Sequence, residues 1–330
     1  MDKAQKTSKA KIYRDENPDM PTKALARVMY KDNNLLFKDV EDARTWLRYI
    51  EGKHGKKDLA SVKNTKYFRE EPRPYNPYNL PQSEETIYEP HILNADRVLN
   101  LSDLHIPYHS IEAITATIDF AKKEKPDAIL LNGDAIDCHQ LSKFVRDPKK
   151  RSFGHELKTF ASFFDVLDKE FPTAKKILKL GNHEERYQIF LWQKAKELDG
   201  VEEFEIENII KARAKGIEVI KDKRIINLHG LNIIHGHEFV NGFFNPVNVA
   251  RGLYLRGKAS AIQGHNHQTS EHTETDMNGK ITTTWSIGCL CELHPQYAPI
   301  NKWNHGFAII DAASDGFEVR NKRIYNGRVL

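Results

Sequence analysis

Five short stretches of the chain carry the same kind of side chain. They are Asp103 and His105 in SDLH, Asp134 in NGD, Asn182 and His183 in GNHE, His235 and His237 in HGHE, and His265 and His267 in GHNH. Carboxylate, carboxamide and imidazole without thiolate form a donor set for Mn, Fe, Co or Zn rather than for a structural zinc site. Two divalent cations about 3.5–4 Å apart need one bridging anion and several terminal ligands. One histidine at a strand end is ordinarily a surface or satisfied residue; five such strand ends together are a metal-site pattern. Glycines at 133, 181, 236 and 264 are expected to let the backbone turn sharply beside these ligands.

Buried strands must deliver those residues. RVLNLSD (97–103), DAILLNGD (127–134) and KILKLGNHE (176–184) are apolar runs that end in polar residues. Helical spacing fills the gaps at about 110–124, stopped before Pro126, and at 155–170, closed by Pro172. One long helical stretch is expected over 184–214. IEVI, RIINLHG, LNIIHGHE and SAIQGHNH read as further strands, with a helix near 246–256. The tail from about 270 alternates and reads as mostly β. Strand–helix alternation predicts an α/β layered domain, and in such sheets ligands bind beyond the carboxyl ends of the strands.

The 330 residues are enough for one large domain or two ordinary ones. The charged fraction is 29% and the apolar fraction 39%, with no stretch near the roughly 20 apolar residues of a membrane span. The opening MDKAQKTSKAKIYR lacks the apolar core of a secretory signal. Three cysteines form no disulfide framework, so a cytoplasmic location is expected. A net charge of +4 excludes a strongly basic nucleic-acid coat but not a local basic patch.

Ahead of the strands, residues 1–20 read as a flexible tail and 21–70 as a helical, possible helix-turn-helix-like segment. Its two helices lie within 21–56, the second capped by Asp39, and no third is evident. Residues 43–73 carry nine Lys/Arg against four acids, a run that could follow a phosphate backbone or simply be solvated. Residues 71–92 form a linker or strap with prolines at 72, 74, 77, 81 and 90, and the main domain is expected over 93–330. Tyr67, Phe68, Tyr75, Tyr78 and Tyr88 could stack bases or staple the strap down.

The ordered blocks DLH, GDAID, GNHE, HGHE and GHNH resemble the calcineurin-like metallophosphoesterase superfamily, over about residues 97–310. The resemblance implies a layered fold of two β-sheets flanked by helices. It implies two divalent metal ions, manganese first, with Fe, Zn, Co or Ni as alternatives. Asp103, His105 and His267 would hold one metal, Asp134 would bridge, and Asn182, His235 and His265 would hold the other. His183 would contact the phosphate and protonate the leaving oxygen, its tautomer fixed by Glu184 or a later acid. His139, Arg186 and His237 are candidate phosphate contacts, Arg186 with an ion pair to an acid as its alternative. The run WSIGCLCELHPQYAPINKWNHGFAII is similar to stretches in phage-borne members. Its Cys289 and Cys291 are expected on alternate sites of a half-buried strand rather than on a metal.

The function implied is a phosphodiesterase in which a metal-bridging hydroxide attacks a phosphate ester, on nucleic acid (DNA or RNA) or nucleotide. A small-molecule phosphomonoesterase is the alternative. A DNA-binding or scaffold role without catalysis is disfavoured by the complete ligand set. GDAID continues as Cys138-His139-Gln140 without the Asp-Arg-Gly run of the protein phosphatases. The segment 187–230 is expected to wall the site.

Overall fold

A computed structural model of the chain describes residues 3–18, 20–54, 77–81, 83–86, 88–142, 152–239, 247–314 and 316–330. Most of the basic run, and Tyr67, Phe68 and Tyr75 with it, lie outside the described residues. The chain divides into two compact units, Met1–Glu85 and Thr86–Leu330.

The first unit is helical: α1 (Lys3–Glu16), α2 (Thr22–Asp32) and α3 (Val40–Ile50). Its core is Leu25, Ala26, Met29, Phe37, Ala43, Leu47 and Ile50, with Ala10 from α1. Asp39 caps α3 by accepting the N–H of Asp42. The flexible tail expected over 1–20 is thus corrected: it is largely a third helix. Its polar sequence hides it, because α1 is held mainly by charge. Arg14 is buried and pairs at 2.5 Å with buried Glu51, which also accepts from Thr22. Lys6 meets Asp42 at 2.6 Å, and the Tyr13 hydroxyl donates to Asp32.

The second unit carries thirteen strands among the described residues. Six form one sheet in the order β1 (His91–Ile92), β6 (Ile226–Leu228), β7 (Leu231–Ile234), β8 (Ala261–Gln263), β10 (Ile281–Ser286), β9 (Ser270–Thr275). Seven form the other: β13 (Arg328–Val329), β12 (Gly316–Tyr325), β11 (His305–Ala313), β2 (Arg97–Leu101), β3 (Ala128–Asn132), β4 (Lys175–Lys179), β5 (Glu218–Ile220). Strands β2 to β5 run parallel, as do β7, β8 and β10. The strap expected to end at 92 gives its last two residues, as β1, to the first sheet.

Alternation along the strands makes the layers. In β3, Ala128 and Leu130 face the other sheet, where Ile226, Leu228, Ile233, Ile262 and Trp285 meet them. Ile129 and Leu131 face the helices α4 (Ile111–Glu124), α5 (Phe153–Glu170) and α6 (Glu185–Lys194), through Ala121, Phe160, Phe164 and Leu191. Helix α8 (Val249–Gly257) covers the far face of the six-stranded sheet through Leu253. Between α6 and α8 lies the one-turn α7 (Ile206–Ile209).

The long helix expected over 184–214 is broken. After α6 come short 3-10 turns at Lys196–Leu198, Glu202–Phe204 and Arg213–Lys215 around α7. Asp199 accepts from Gln188 and Trp192, and Gly200 then takes a φ of +78° that no helix continues. Arg14→Ala would leave the buried Glu51 carboxylate with only the more distant Lys53, at 4.0 Å, as a cation, and is expected to destabilise the helical unit by up to about 3–5 kcal/mol. Hydrogen exchange at the α1 amides checks this; unchanged protection would contradict the packing.

Candidate metal centre

Each expected ligand follows the carboxyl end of a strand: Asp103 and His105 after β2, Asp134 after β3, Asn182 after β4, His235 after β7, and His265 and His267 after β8. The turns are tight. Asp103, His105, Asp134, His265 and His267 all have φ between +48° and +65°, a left-handed backbone that costs a non-glycine residue about 1–3 kcal/mol. Of the four glycines expected to permit sharp turns, only Gly133 and Gly236 have positive φ. Gly181 and Gly264 serve differently: a Cβ on Gly181 would strike Asp134, and one on Gly264 would strike Ser102 and Asp103.

The donor atoms converge. The Nε2 of His267 lies 3.2 Å from Asp103 Oδ1 and 3.2 Å from His105 Nε2. His235 Nε2 lies 3.2 Å from Asp134 Oδ2 and 3.3 Å from Asn182 Oδ1. Donor atoms of Asp103, His105 and Asp134 fall within 4.8 Å of one another, as do those of Asp134, His235 and His265, so Asp134 belongs to both groups.

Each donor is aimed because its other polar atom is tied to the scaffold. Asp103 Oδ2 accepts from Ser102 Oγ and from the His265 N–H, which leaves buried Oδ1 without a hydrogen bond and facing His267 Nε2. Asp134 Oδ1 accepts the His183 N–H at 2.9 Å and turns Oδ2 inward. The His235 Nδ1–H donates to the Asn132 carbonyl at 2.8 Å, and that of His105 to Asp137 Oδ1 at 3.0 Å, so both Nε2 atoms are left for a metal. An orphaned carboxylate oxygen beside convergent imidazole nitrogens fits divalent cations.

The electrostatics agree. Burial alone would raise Asp103 and Asp134, but the imidazoles of His267, and of His235 and His183, hold them below the usual carboxylate range. The same attraction, working against burial, lifts His235 and His267 to about 10. His265 is pushed down to about 4 by burial and by His235. The cavity therefore demands positive charge, which protons or metal ions can supply.

Three acids hold the site together, of which sequence reasoning named only Glu184, and for another role. Asp137 Oδ1 binds Nδ1 of both His105 (3.0 Å) and His183 (3.1 Å). It corrects the expected role of Glu184, which does not fix His183. Glu184 instead accepts the backbone N–H groups of Asp134, Ile136 and Gly181. Glu238 accepts those of His235 and Gly236 and is paired with wholly buried Lys179 at 2.9 Å. Asp137 stands three residues after Asp134 in GDAID, and that spacing is the one signal that could have found it.

His183 lies beside the cluster, its Nε2 3.8 Å from Asp134 Oδ2. Arg186 forms no ion pair among the described residues; it donates to His183 Nε2 and to the Asp137 carbonyl, each at 2.9 Å. His139 Nδ1 is 3.7 Å from Asp137 Oδ2, at the edge of the site. His237 is turned away, its Nε2 2.9 Å from Glu185. Cys289 and Cys291 are both fully buried and joined to their neighbours by isolated bridges, not on a half-buried strand, and Cys291 Sγ lies 3.9 Å from His267 Nδ1. The two cavities beside the cluster take no wall from 187–230. Asp137→Asn removes the charge that orients two imidazoles and is expected to weaken metal binding 10–100-fold. Calorimetric titration with Mn²⁺ measures it, and an unchanged affinity would remove Asp137 from this role.

The chain is 24% identical over 237 residues to the Gene 54 protein of Mycobacterium phage L5, a match that covers 68% of this chain and 91% of that protein. Among solved structures it is similar to Vps29 from Cryptosporidium parvum, at 14% identity and a TM-score of 0.40 over 72% of this chain and 95% of that one. It is also similar to a dimetal phosphatase from Danio rerio, at 13% identity and a TM-score of 0.36 over 71% and 97%. Residues 96–276 match the family model of the calcineurin-like phosphoesterases, over more than half of the chain. With the strand ends that carry its candidate ligands inside that match, the chain belongs to the calcineurin-like phosphoesterase family.

Proposed function

We propose that the chain is a metal-dependent phosphodiesterase acting on a nucleotide or nucleic-acid diester. Two divalent cations, manganese foremost, would be held by Asp103, His105 and His267 on one side and by Asn182, His235 and His265 on the other, with Asp134 shared. The observation that carries this reading is the convergence of donors that each keep one atom anchored and one turned inward. Bound there, divalent cations polarise a phosphate ester and lower the pKa of water, to about 7 at a single zinc.

The chain's own residues supply the rest. The guanidinium of Arg186, fixed by the Asp137 carbonyl, offers a planar fork to non-bridging phosphate oxygens. His183 is the general acid for the departing oxygen: Asp137 holds its Nδ1 and Nε2 faces the cluster, and Nε2 takes up its proton when Arg186, which donates to it in the free site, turns onto the phosphate. Burial opposes a charged His183, but Asp134 and Asp137 outweigh it and raise its pKa, which suits an acid. His139 borders the same site and is a further candidate phosphate contact.

Cavities on both sides of the cluster favour a diester, whose phosphorus carries two arms, over a monoester. The helical unit supports a polyanionic partner. Lys23, Arg27 and Lys31 stand four residues apart on α2, exposed and in no ion pair among the described residues. Free, buried Cys138, Cys289 and Cys291 suit a cytoplasmic setting.

With Mn²⁺ present, kcat/KM is expected to be higher on bis-(p-nitrophenyl) phosphate than on p-nitrophenyl phosphate; the reverse order would make the protein a phosphomonoesterase. Asp134→Asn is expected to keep less than about a tenth of wild-type kcat, a barrier rise of roughly 1.4 kcal/mol or more. Steady-state kinetics with metal content measured in parallel separates lost chemistry from lost metal.

A further inference from the structure

The two cavities beside the cluster share one wall, the indole of Trp303. The first, about 320 Å³, extends from His105 and Asp137 past Tyr108 and His139 to Tyr297. The second, about 350 Å³, extends from His265 past Asn266 and Gln268 to Lys302. Their chemistry differs: the first is lined largely by rings, the second by Val247 and Val249, two amides and an ammonium group.

Trp303 is half-buried and packs edge-on against His267, with ring centroids 4.2 Å apart. Tyr297 leans towards it, centroids 6.2 Å apart and planes at 64°, yet is 72% exposed. A tyrosine ring left in water beside a half-open indole contributes little to the core. It does leave π surface facing a cavity that starts at the donor cluster. Flat, polar-edged heterocycles bind such surfaces by stacking, at about 1–3 kcal/mol per base. An aliphatic arm would have no use for the ring faces, and a bare phosphate would be repelled by Asp137.

We propose that the Trp303–Tyr297 cavity is a nucleobase site, so that the diester cleaved here carries a nucleoside on the arm that enters it. The inference rests on the phosphodiesterase reading above and narrows its substrate class. The opposite arm, a sugar or a further phosphate, lies along Asn266, Gln268 and Lys302. Trp303 thereby acts as the partition that sorts the two arms, and Tyr297 as the outer face of the base site.

The test is calorimetric binding to the Mn²⁺-loaded protein. The probes are a dithymidine phosphorothioate and the same compound with hydrogen in place of both bases. The wild type is expected to bind the base-bearing probe at least tenfold more tightly. Tyr297→Ala and Trp303→Ala should each cut that preference threefold or more, and Trp303→Phe should restore most of it. Tyr297 is exposed enough that its variant folds even if loss of Trp303 disturbs His267. Equal wild-type affinity for the two probes, or variants that weaken both alike, would overturn the base site. Hydrolysis of simple diesters without a base preference would refute this proposal and leave the phosphodiesterase standing. A base preference without turnover of any ester would support the site and refute the hydrolase.

Discussion

The second unit is organised around a repulsive problem. Two carboxylates and four imidazoles must meet within a few ångströms, each with a lone pair aimed inward. Left alone, such a cluster would spread or be neutralised by protons. Here the scaffold binds the opposite atom of the donors it aims. Ser102 and a backbone N–H take one oxygen of Asp103, and the His183 N–H takes one of Asp134. A carbonyl takes one nitrogen of His235, and Asp137 takes one of His105. The left-handed turns that carry the ligands persist because these bonds over-determine them.

Behind the donors stands a ring of buried charge that never faces the cavity. Glu184 gathers three backbone N–H groups from the ends of β3 and β4, and the Lys179–Glu238 pair fixes the turn after β7. Buried ion pairs are weak evidence for stability, since desolvation offsets their attraction. Their value here is positional: each is hydrogen-bonded to the backbone of a residue next to or at a donor. A turn set in this way cannot drift by the fraction of an ångström that metal geometry forbids.

The central strands and their ligand-bearing ends could be read from the sequence because two strong signals coincide there. Apolar runs such as AILL end in GD, and the polar ends repeat five times. Helix α1 could not, because its packing uses Arg14, Lys6 and Tyr13 rather than an apolar stripe. The break after α6 was hidden because helical spacing continues through residues that the Asp199 contacts and Gly200 divert. Asp137 was quoted within its motif yet given no role, since the alternative anchors for His183 differ only in three dimensions. Nor does one chain's sequence reveal that Gly181 and Gly264 leave room for carboxylates rather than for a turn.

The candidate ligands come from both layers of the sandwich. Asp103, His105, Asp134 and Asn182 follow strands of the seven-stranded sheet, and His235, His265 and His267 follow strands of the six-stranded one. Between the layers the contact is side-chain packing of Ile226, Ile233, Ile262 and their partners, crossed at the site by single hydrogen bonds such as His235 to the Asn132 carbonyl and Asn132 to the Ile234 carbonyl. A cation held by these candidate donors from both sides would be a rivet through two plates. Shear of even one strand residue, about 3.3 Å, would tear the donors apart. Loading and mechanical integrity of the sandwich would then be one property, since anything that binds the folded state alone stabilises it by an amount that grows with the logarithm of its concentration over its Kd.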